Sequence, residues 1–395
     1  MTGDPITRAD AIRRLFTAAA AAAGGQLGSI EPVKLAPGEK LRVAILGCGN
    51  RSQAHLASLA SVDNIEVAAL CDIVPGKMEE RAKLVKKGTP RRFTDYQKML
   101  KESDLHAVGV ILPNTLHREA VIACLQAGKH VLVEKPLTLS VPDCREVVKA
   151  FDRYRRVVQV GTQRRHAASY QALAEKLREG AIGNVLYGWV NTFRADWIKL
   201  YPDPAVDSAK NWRMHQAEGG AVIYEMGIHL IDLFNWLIGS EPVEVAAMGG
   251  VHNRKLQKRD SWDHTGALVR YANGALLTYG GHLYSSAGSP PDFLYGDAGT
   301  LEVPPENGRS ARISKSEYWR PFHERGESPK GEQVSLSLPP SGNTTTAQWA
   351  YFFESVQGKK PAFPSPHHHL PAIQIAHGAL VSAAERRHIR VADLG

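Results

Sequence analysis

Leu41-Arg42-Val43-Ala44-Ile45-Leu46-Gly47-Cys48-Gly49-Asn50-Arg51-Ser52 is the stretch from which the architecture follows. Its first six residues form a short β-branched run, the pattern of a strand buried on both faces of a parallel sheet. Two glycines follow, and a helical pattern begins directly after them. Gly47 permits a tight turn, and Gly49 removes a Cβ that would block a pyrophosphate. The helix starting at Asn50, Arg51 and Ser52 turns its free N–H groups toward the phosphates. Ser52 stands where a third Gly or Ala is usual, and it is small enough for close helix–strand packing. The competing reading is an ordinary βα turn. A second strand, Ile65 to Cys71, ends at Asp72. That carboxylate lies about 20 residues beyond the glycines, where it accepts ribose hydroxyls and repels a 2′-phosphate. NAD rather than NADP is the expected cofactor.

The pattern continues on both sides of Asp72. Residues 77–86 read as helix, 107–112 as a strand closed by Pro113-Asn114, and 117–127 as a helix ended by Gly128. Then come a strand at His130–Val133, the sequence Glu134-Lys135-Pro136, and a strand at 157–161. Strands alternating with helices imply an α/β fold with an N-terminal Rossmann doubly wound parallel sheet over 40–160. Beyond Gly161 a helix fits 168–179. Alternating runs then occupy 185–192, 243–249, 265–271, 275–281 and 299–303, with Asn273-Gly274 as a hairpin turn. Residues 161–395 therefore read as a substrate-binding α+β domain with a mostly antiparallel open sheet. One strong helix interrupts it at 221–238, ended by Gly239. Residues 304–343, rich in Pro, Gly, Ser and charge, read as loop. Helices at 345–357 and 370–386 are expected to pack back on the first domain.

Composition narrows the function classes. The chain has 395 residues and a formal charge of +8, with its Lys and Arg scattered rather than striped. No nucleic-acid module is evident, and no stretch reads as a transmembrane helix. Cys48, Cys71, Cys124 and Cys144 show no metal or disulfide spacing and read as small buried side chains. No metal site is expected; the run His367-His368-His369 reads as loop without acidic partners. Residues 1–39 form a leader or arm followed by a linker. Arg13-Arg14 before the Ala-rich tract 18–23 is similar to a Tat export signal, and an Ala-rich helix fits equally. Periplasmic and cytoplasmic locations both remain open.

Leu41–Ser52, Asp72, Pro113-Asn114-Thr115-Leu116-His117 and Ala127–Pro136 together resemble the glucose–fructose oxidoreductase and inositol dehydrogenase (Gfo/Idh/MocA) family. The resemblance extends through Gly219-Gly220 to Glu225 and His229, and weakly through Tyr295–Thr300. It implies a cis Pro136 and a Lys135 that points at the substrate beside the nicotinamide. There its ammonium stabilises alkoxide character. Glu225 and His229 are i and i+4 on one expected helix, so they share a face. The resemblance makes His229 the acid/base and gives Glu225 the role of holding substrate or tuning Lys135. Asp232 is an alternative partner that would orient the imidazole.

Pro113, Asn114, His117, Glu134, Lys135 and Gln163 join Gly47, Gly49, Asn50, Arg51, Ser52 and Asp72 as expected cofactor contacts. Arg164, His166, Asn211, Trp212, Arg213 and Tyr224 join Lys135, Glu225 and His229 as expected substrate contacts, since amide, guanidinium and indole groups suit a polyhydroxylated ligand. The leading reading is NAD-dependent oxidation of a secondary hydroxyl on a sugar, glycoside or cyclitol. A second is glycosidic cleavage by transient oxidation and elimination, as in family 109 glycoside hydrolases, whose Tyr and His are partly echoed by Tyr224 and His229. A third is a catalytically silent binding protein. The expected partners are a small carbohydrate or polyol and further copies of the chain, in a dimer or tetramer formed through the second-domain sheet.

Overall fold

In the computed structural model the described residues are 30–195, 212–252, 259–315 and 332–395. The twin-arginine segment and Asn211 lie outside them. Strands β1 (Leu41–Leu46), β2 (Ile65–Cys71), β3 (Arg91–Phe93), β4 (Ala107–Val110), β5 (His130–Val133) and β6 (Val158–Val160) form one sheet in the order β3-β2-β1-β4-β5-β6. All its pairings are parallel. Helices α1 (Asn50–Ala60), α2 (Pro75–Ala82), α3 (Tyr96–Glu102), α4 (His117–Gln126) and α5 (Val141–Tyr154) connect the strands. The strand order reverses between β1 and β4, which opens a crevice at the carboxyl ends. Gly47, Asp72, Pro113 and Glu134 all lie at that edge.

A second, nine-stranded sheet comprises β7 (Val185–Phe193), β8 (Pro242–Gly250), β9 (His264–Tyr271), β10 (Leu276–His282), β11 (Asp292–Gly296), β12 (Gly299–Val303), β13 (Ser310–Lys315), β14 (Glu332–Ser337) and β15 (Ile389–Arg390). Its order is β14-β13-β12-β11-β7-β10-β9-β8-β15, antiparallel except for β7 beside β10. Residues alternate strictly between buried and outward along β9 and β10, so one face is covered and the other open. Helix α7 (Ile228–Ile238) packs on β7 with helix α6 (Ala168–Arg178) beside it, and Gly239 ends α7 in the left-handed region. Helix α8 (Thr344–Val356) packs on α1 and the turn at 163–166. Helix α9 (Pro366–Glu385) packs on both β8 and α5, and so ties the two sheets together. The four cysteines are free and buried.

Three expectations change. The segment 304–343 contains β13 and β14 rather than loop alone; the alternation Ala311/Ile313 and Val334/Leu336 was masked by the surrounding Pro, Gly and charge. The run His367–His369 is the first turn of α9, because Pro366 is a helix-starting residue here rather than a loop marker. It also has acidic partners: His367 lies 2.8 Å from Asp152 and His369 3.1 Å from Asp232. The helix expected over 221–238 opens with a π-turn, Ile223–Gly227, before α7 begins. The run Gln216–Ile238 has the length and apolarity of a membrane span, but most of it is buried in the fold.

Candidate active site

The turn after β1 is shaped by its two glycines. Gly47 has φ +96°, and a Cβ on it would lie 2.1 Å from the Ile111 carbonyl oxygen, so no other residue fits. A Cβ on Gly49 would meet no protein atom within 4 Å; that side faces open space of the kind a pyrophosphate takes. Gly49 caps α1 without any side-chain hydrogen bond, leaving the first N–H groups of the helix for a ligand. Asn50 is exposed there. Asp72 is fixed over the turn: one carboxylate oxygen accepts from Cys48 N at 2.8 Å and the other from Val74 N at 2.9 Å. Ser52 is fully buried; its hydroxyl donates to Gly49 O at 2.6 Å and accepts from Arg81 Nε at 3.1 Å. Arg81 also donates to Gly49 O, and so braces the turn from α2. In sequence it reads as one more solvated helix charge.

At the end of β4, Pro113 is half-buried and Asn114 is buried. The Asn114 amide donates to Gly219 O at 3.1 Å and to Glu225 Oε1 at 2.6 Å, so it links the crevice to the second half of the chain. His117 departs from its expected role. It is fully buried, with Nδ1 2.7 Å from Pro136 O and Nε2 2.9 Å from Leu112 O. Burial lowers its pKa, although both carbonyls favour the charged ring. It staples the two loops together rather than facing a cofactor, because the helix start turns its side chain inward.

The peptide between Lys135 and Pro136 is cis. Lys135 Nζ donates to the Glu225 carbonyl at 2.8 Å and lies 3.9 Å from Glu225 Oε2. Arg213 Nε donates to Glu225 Oε2 at 2.8 Å, and the Arg213 guanidinium stacks 4.0 Å over Trp212. Burial alone would raise the Glu225 pKa, but Lys135 and Arg213 overcome it and hold the carboxyl ionised. For Lys135, burial lowers the pKa more than Glu225 and Glu134 raise it. Glu134 is buried and would be raised for the same reason. Arg51 Nε at 2.7 Å and His55 Nε2 at 2.8 Å, both on Oε1, instead hold it well below the carboxylate range.

His229 follows Glu225 by four residues across the π-turn and is half-buried. Its Nδ1 is buried and has no hydrogen-bond partner among the described residues. Burial, then Lys135 and Arg164, hold its pKa well below the usual histidine range, so the ring is neutral. Gln163 Oε1 is likewise buried without a partner, at the end of β6. Arg164 lies 3.6 Å from Glu306.

Three other expected residues turn elsewhere. Asp232 does not orient His229: it holds Arg165 at 2.7 Å and His369 at 3.1 Å. Tyr224 is fully buried and its hydroxyl donates to Leu139 O at 2.5 Å, so it clamps the π-turn to the first domain. His166 is buried beside Tyr351 and Phe363, where burial drops its pKa to about 3. In each case a partner or ring distant in sequence claimed a residue whose polar type suggested a ligand. Sequence reasoning missed His55 and Trp349; the i,i+4 spacing of Arg51 and His55 on α1 was the available signal for the first. Among the described residues no group of three or more His, Cys, Asp or Glu is placed to hold a metal.

Comparison with known proteins bears on this geometry. Residues 41–162 match a family model described as an oxidoreductase family with an NAD-binding Rossmann fold, and residues 170–302 match the GFO/IDH/MocA C-terminal domain. The chain is similar to the inositol 2-dehydrogenase of Salmonella paratyphi B, with 31% identity over 204 residues, 51% of this chain and 55% of that protein. It is also 31% identical over 193 residues to the 1,5-anhydro-D-fructose reductase of Ensifer adhaerens, 49% of this chain and 55% of that one. The chain thus spans about half the length of the curated relatives it matches. In fold it resembles the aldose-aldose oxidoreductase from Caulobacter crescentus, solved with glycerol, with TM-score 0.72, 22% identity, and 89% of this chain and all of that one covered. With the two family models matching more than half of the chain in order, the chain belongs to the Gfo/Idh/MocA oxidoreductase family, and its first sheet is that family's NAD-binding Rossmann fold.

Proposed function

We propose that this protein oxidises a secondary hydroxyl of a sugar, glycoside or cyclitol, with NAD as the redox partner. One juxtaposition carries the reading: the Lys135 ammonium anchored on Glu225, with the unpartnered Nδ1 of His229 four residues further along the same helical run. The Gly47–Gly49 turn, the bare α1 N-terminus and Asp72 fit a dinucleotide, and Asp72 favours NAD over NADP. When bound, the nicotinamide supplies the hydride acceptor. Lys135 keeps N–H groups beyond its bond to the Glu225 carbonyl, and these donate to the substrate oxygen as negative charge develops on it. His229, neutral by burial, accepts the hydroxyl proton. Glu225 stays ionised, which keeps Lys135 charged and in place. Trp212, Arg213, Arg164 and Gln163 supply stacking and hydrogen-bonding groups for a polyhydroxylated substrate.

Of the two residues that echo the elimination enzymes, Tyr224 donates to Leu139 O, which leaves that reading His229 alone. The silent-binding reading gives no role to the Lys135 ammonium anchored on Glu225. The test is incubation of the purified protein with NAD and a panel of sugars, glycosides and cyclitols, following reduced nicotinamide and released aglycone together. Nicotinamide reduction without aglycone is the expected result. Aglycone release without net reduction would transfer the assignment to cleavage, and silence across the panel would sink both enzymatic readings.

A further inference from the structure

We infer that Trp349 and His55 form a positioning relay that fixes Glu134 as a charged, oriented carboxylate and, through it, sets the charge of Lys135. The inference rests on the role proposed above for Lys135. Trp349 Nε1 lies 3.0 Å from His55 Nδ1, and His55 Nε2 lies 2.8 Å from Glu134 Oε1. An indole N–H can only donate, so His55 Nδ1 must be the acceptor. The imidazole proton therefore sits on Nε2 and is donated to Glu134. A second proton on the ring would break the Trp349 bond, and burial opposes it as well. One tautomer of neutral His55 satisfies both neighbours.

Glu134 gains three donors in this way. His55 and Arg51 reach Oε1, and the Lys135 backbone N–H reaches Oε2 at 3.2 Å. A buried carboxylate is ionised only while such donors are in place. Arg51 is itself tied to Thr345 on α8 at 3.3 Å, so α8 braces Glu134 by two routes. Four charged groups bear on Lys135: Glu225 and Glu134 hold its proton, while Arg213 and Arg51 repel it. Loss of the Glu134 charge would tip that balance toward neutral lysine. His55 and Trp349 are outside the crevice and touch no substrate; they act through Glu134.

The experiment is an NMR titration of the intact protein with labelled histidine and lysine, alongside the pH profile of turnover. In the wild type, His55 should remain neutral and Nε2-protonated across about pH 5–8, the range in which a free imidazole titrates. His55→Leu should shift the Lys135 titration and the alkaline limb of turnover to lower pH, and slow turnover about 10²-fold through misplacement of the loop. His55→Gln should restore both, because its amide can accept from Trp349 and donate to Glu134. Trp349→Phe, which keeps an aromatic ring and removes the N–H donor, should release the tautomer and shift Lys135 the same way; it serves if His55→Leu does not fold. A His55 found Nδ1-protonated, or a Lys135 titration unmoved in folded variants, overturns the relay. If the wild type turns over nothing, the proposed function fails while the lysine titration still decides the relay.

Discussion

Lys135 and His229 have their pKa values displaced in the same direction, with opposite consequences for rate. His229 must be unprotonated to take a hydroxyl proton, so oxidation rises with pH through its ionisation. Burial, Lys135 and Arg164 move that limb well below the ordinary histidine range. Lys135 must be protonated, so oxidation falls as pH rises through its ionisation, at a value burial has lowered from the usual lysine range. His229→Asn should flatten the acid limb and slow turnover by roughly 10²–10⁴; a pH–rate series on both proteins checks this. Lys135→Ala should abolish turnover and leave dinucleotide binding by fluorescence titration nearly intact, since its contribution belongs to the transition state. Asp72→Ala should weaken NAD far more than NADP, and equal loss of the two would remove Asp72 from ribose recognition. Part of the geometry was legible in the chain: Gly47 and Asp72 end their strands at one sheet edge, and Lys135 meets Glu225. The placing of Tyr224, His166 and His117 was not, because burial is a property of neighbours distant in sequence. Asp232 shows the same limit, since its partners Arg165 and His369 come from separate elements.

At the scale of elements, the helical run carrying Glu225 and His229 is held from two sides. The π-turn gives Gly227 a place against Tyr279, where a Cβ would fall 2.4 Å from the tyrosine hydroxyl oxygen. The extra residue per turn also changes how Glu225 and His229 present themselves, as π-bulges at functional sites often do. An i,i+4 count along a regular helix is silent on this feature. Behind the run, Asp232 is buried in a bidentate contact with Arg165, which also donates to the carbonyls of Asp232 and His368. Its pKa is depressed by those partners against the opposing effect of burial. The stability it contributes is therefore present at neutral pH and lost on acidification. Asp232→Ala should destabilise the fold by about 3–5 kcal/mol, since it leaves a buried guanidinium unpaired. Denaturant unfolding measures this, and the acid limb assigned to His229 should stay in place in the surviving folded fraction. β13 and β14 carry a different lesson: short strands at the margin of a sheet, with half-buried alternation, are hard to separate from loop until their register partners are known.

At the scale of the whole molecule, the second sheet leaves one broad face open. Phe293, Trp189, Thr278, Leu268 and Ala246 stand in register across β11, β7, β10, β9 and β8. Trp189 is 45% exposed, Leu268 44% and the nearby Met248 83%. This exposed, largely apolar strip lies on the second-domain sheet, the element through which a dimer or tetramer was expected to form. Trp189→Glu should shift the protein toward monomer in light scattering without altering its far-ultraviolet circular dichroism; an unchanged mass would place any assembly elsewhere. The same long-range architecture shapes how the protein can be made. Trp349 and His55 are 294 residues apart in sequence. The ribosome therefore releases every strand of the nucleotide-binding sheet long before it releases the helix that completes its charged corner. Throughout that interval the His55 and Arg51 that hold Glu134 go without their braces from α8, and α1 keeps a bare flank. A premature stop between β6 and α8 would yield a product with the full cofactor fingerprint and an unfinished catalytic loop, a natural client for chaperones and proteases.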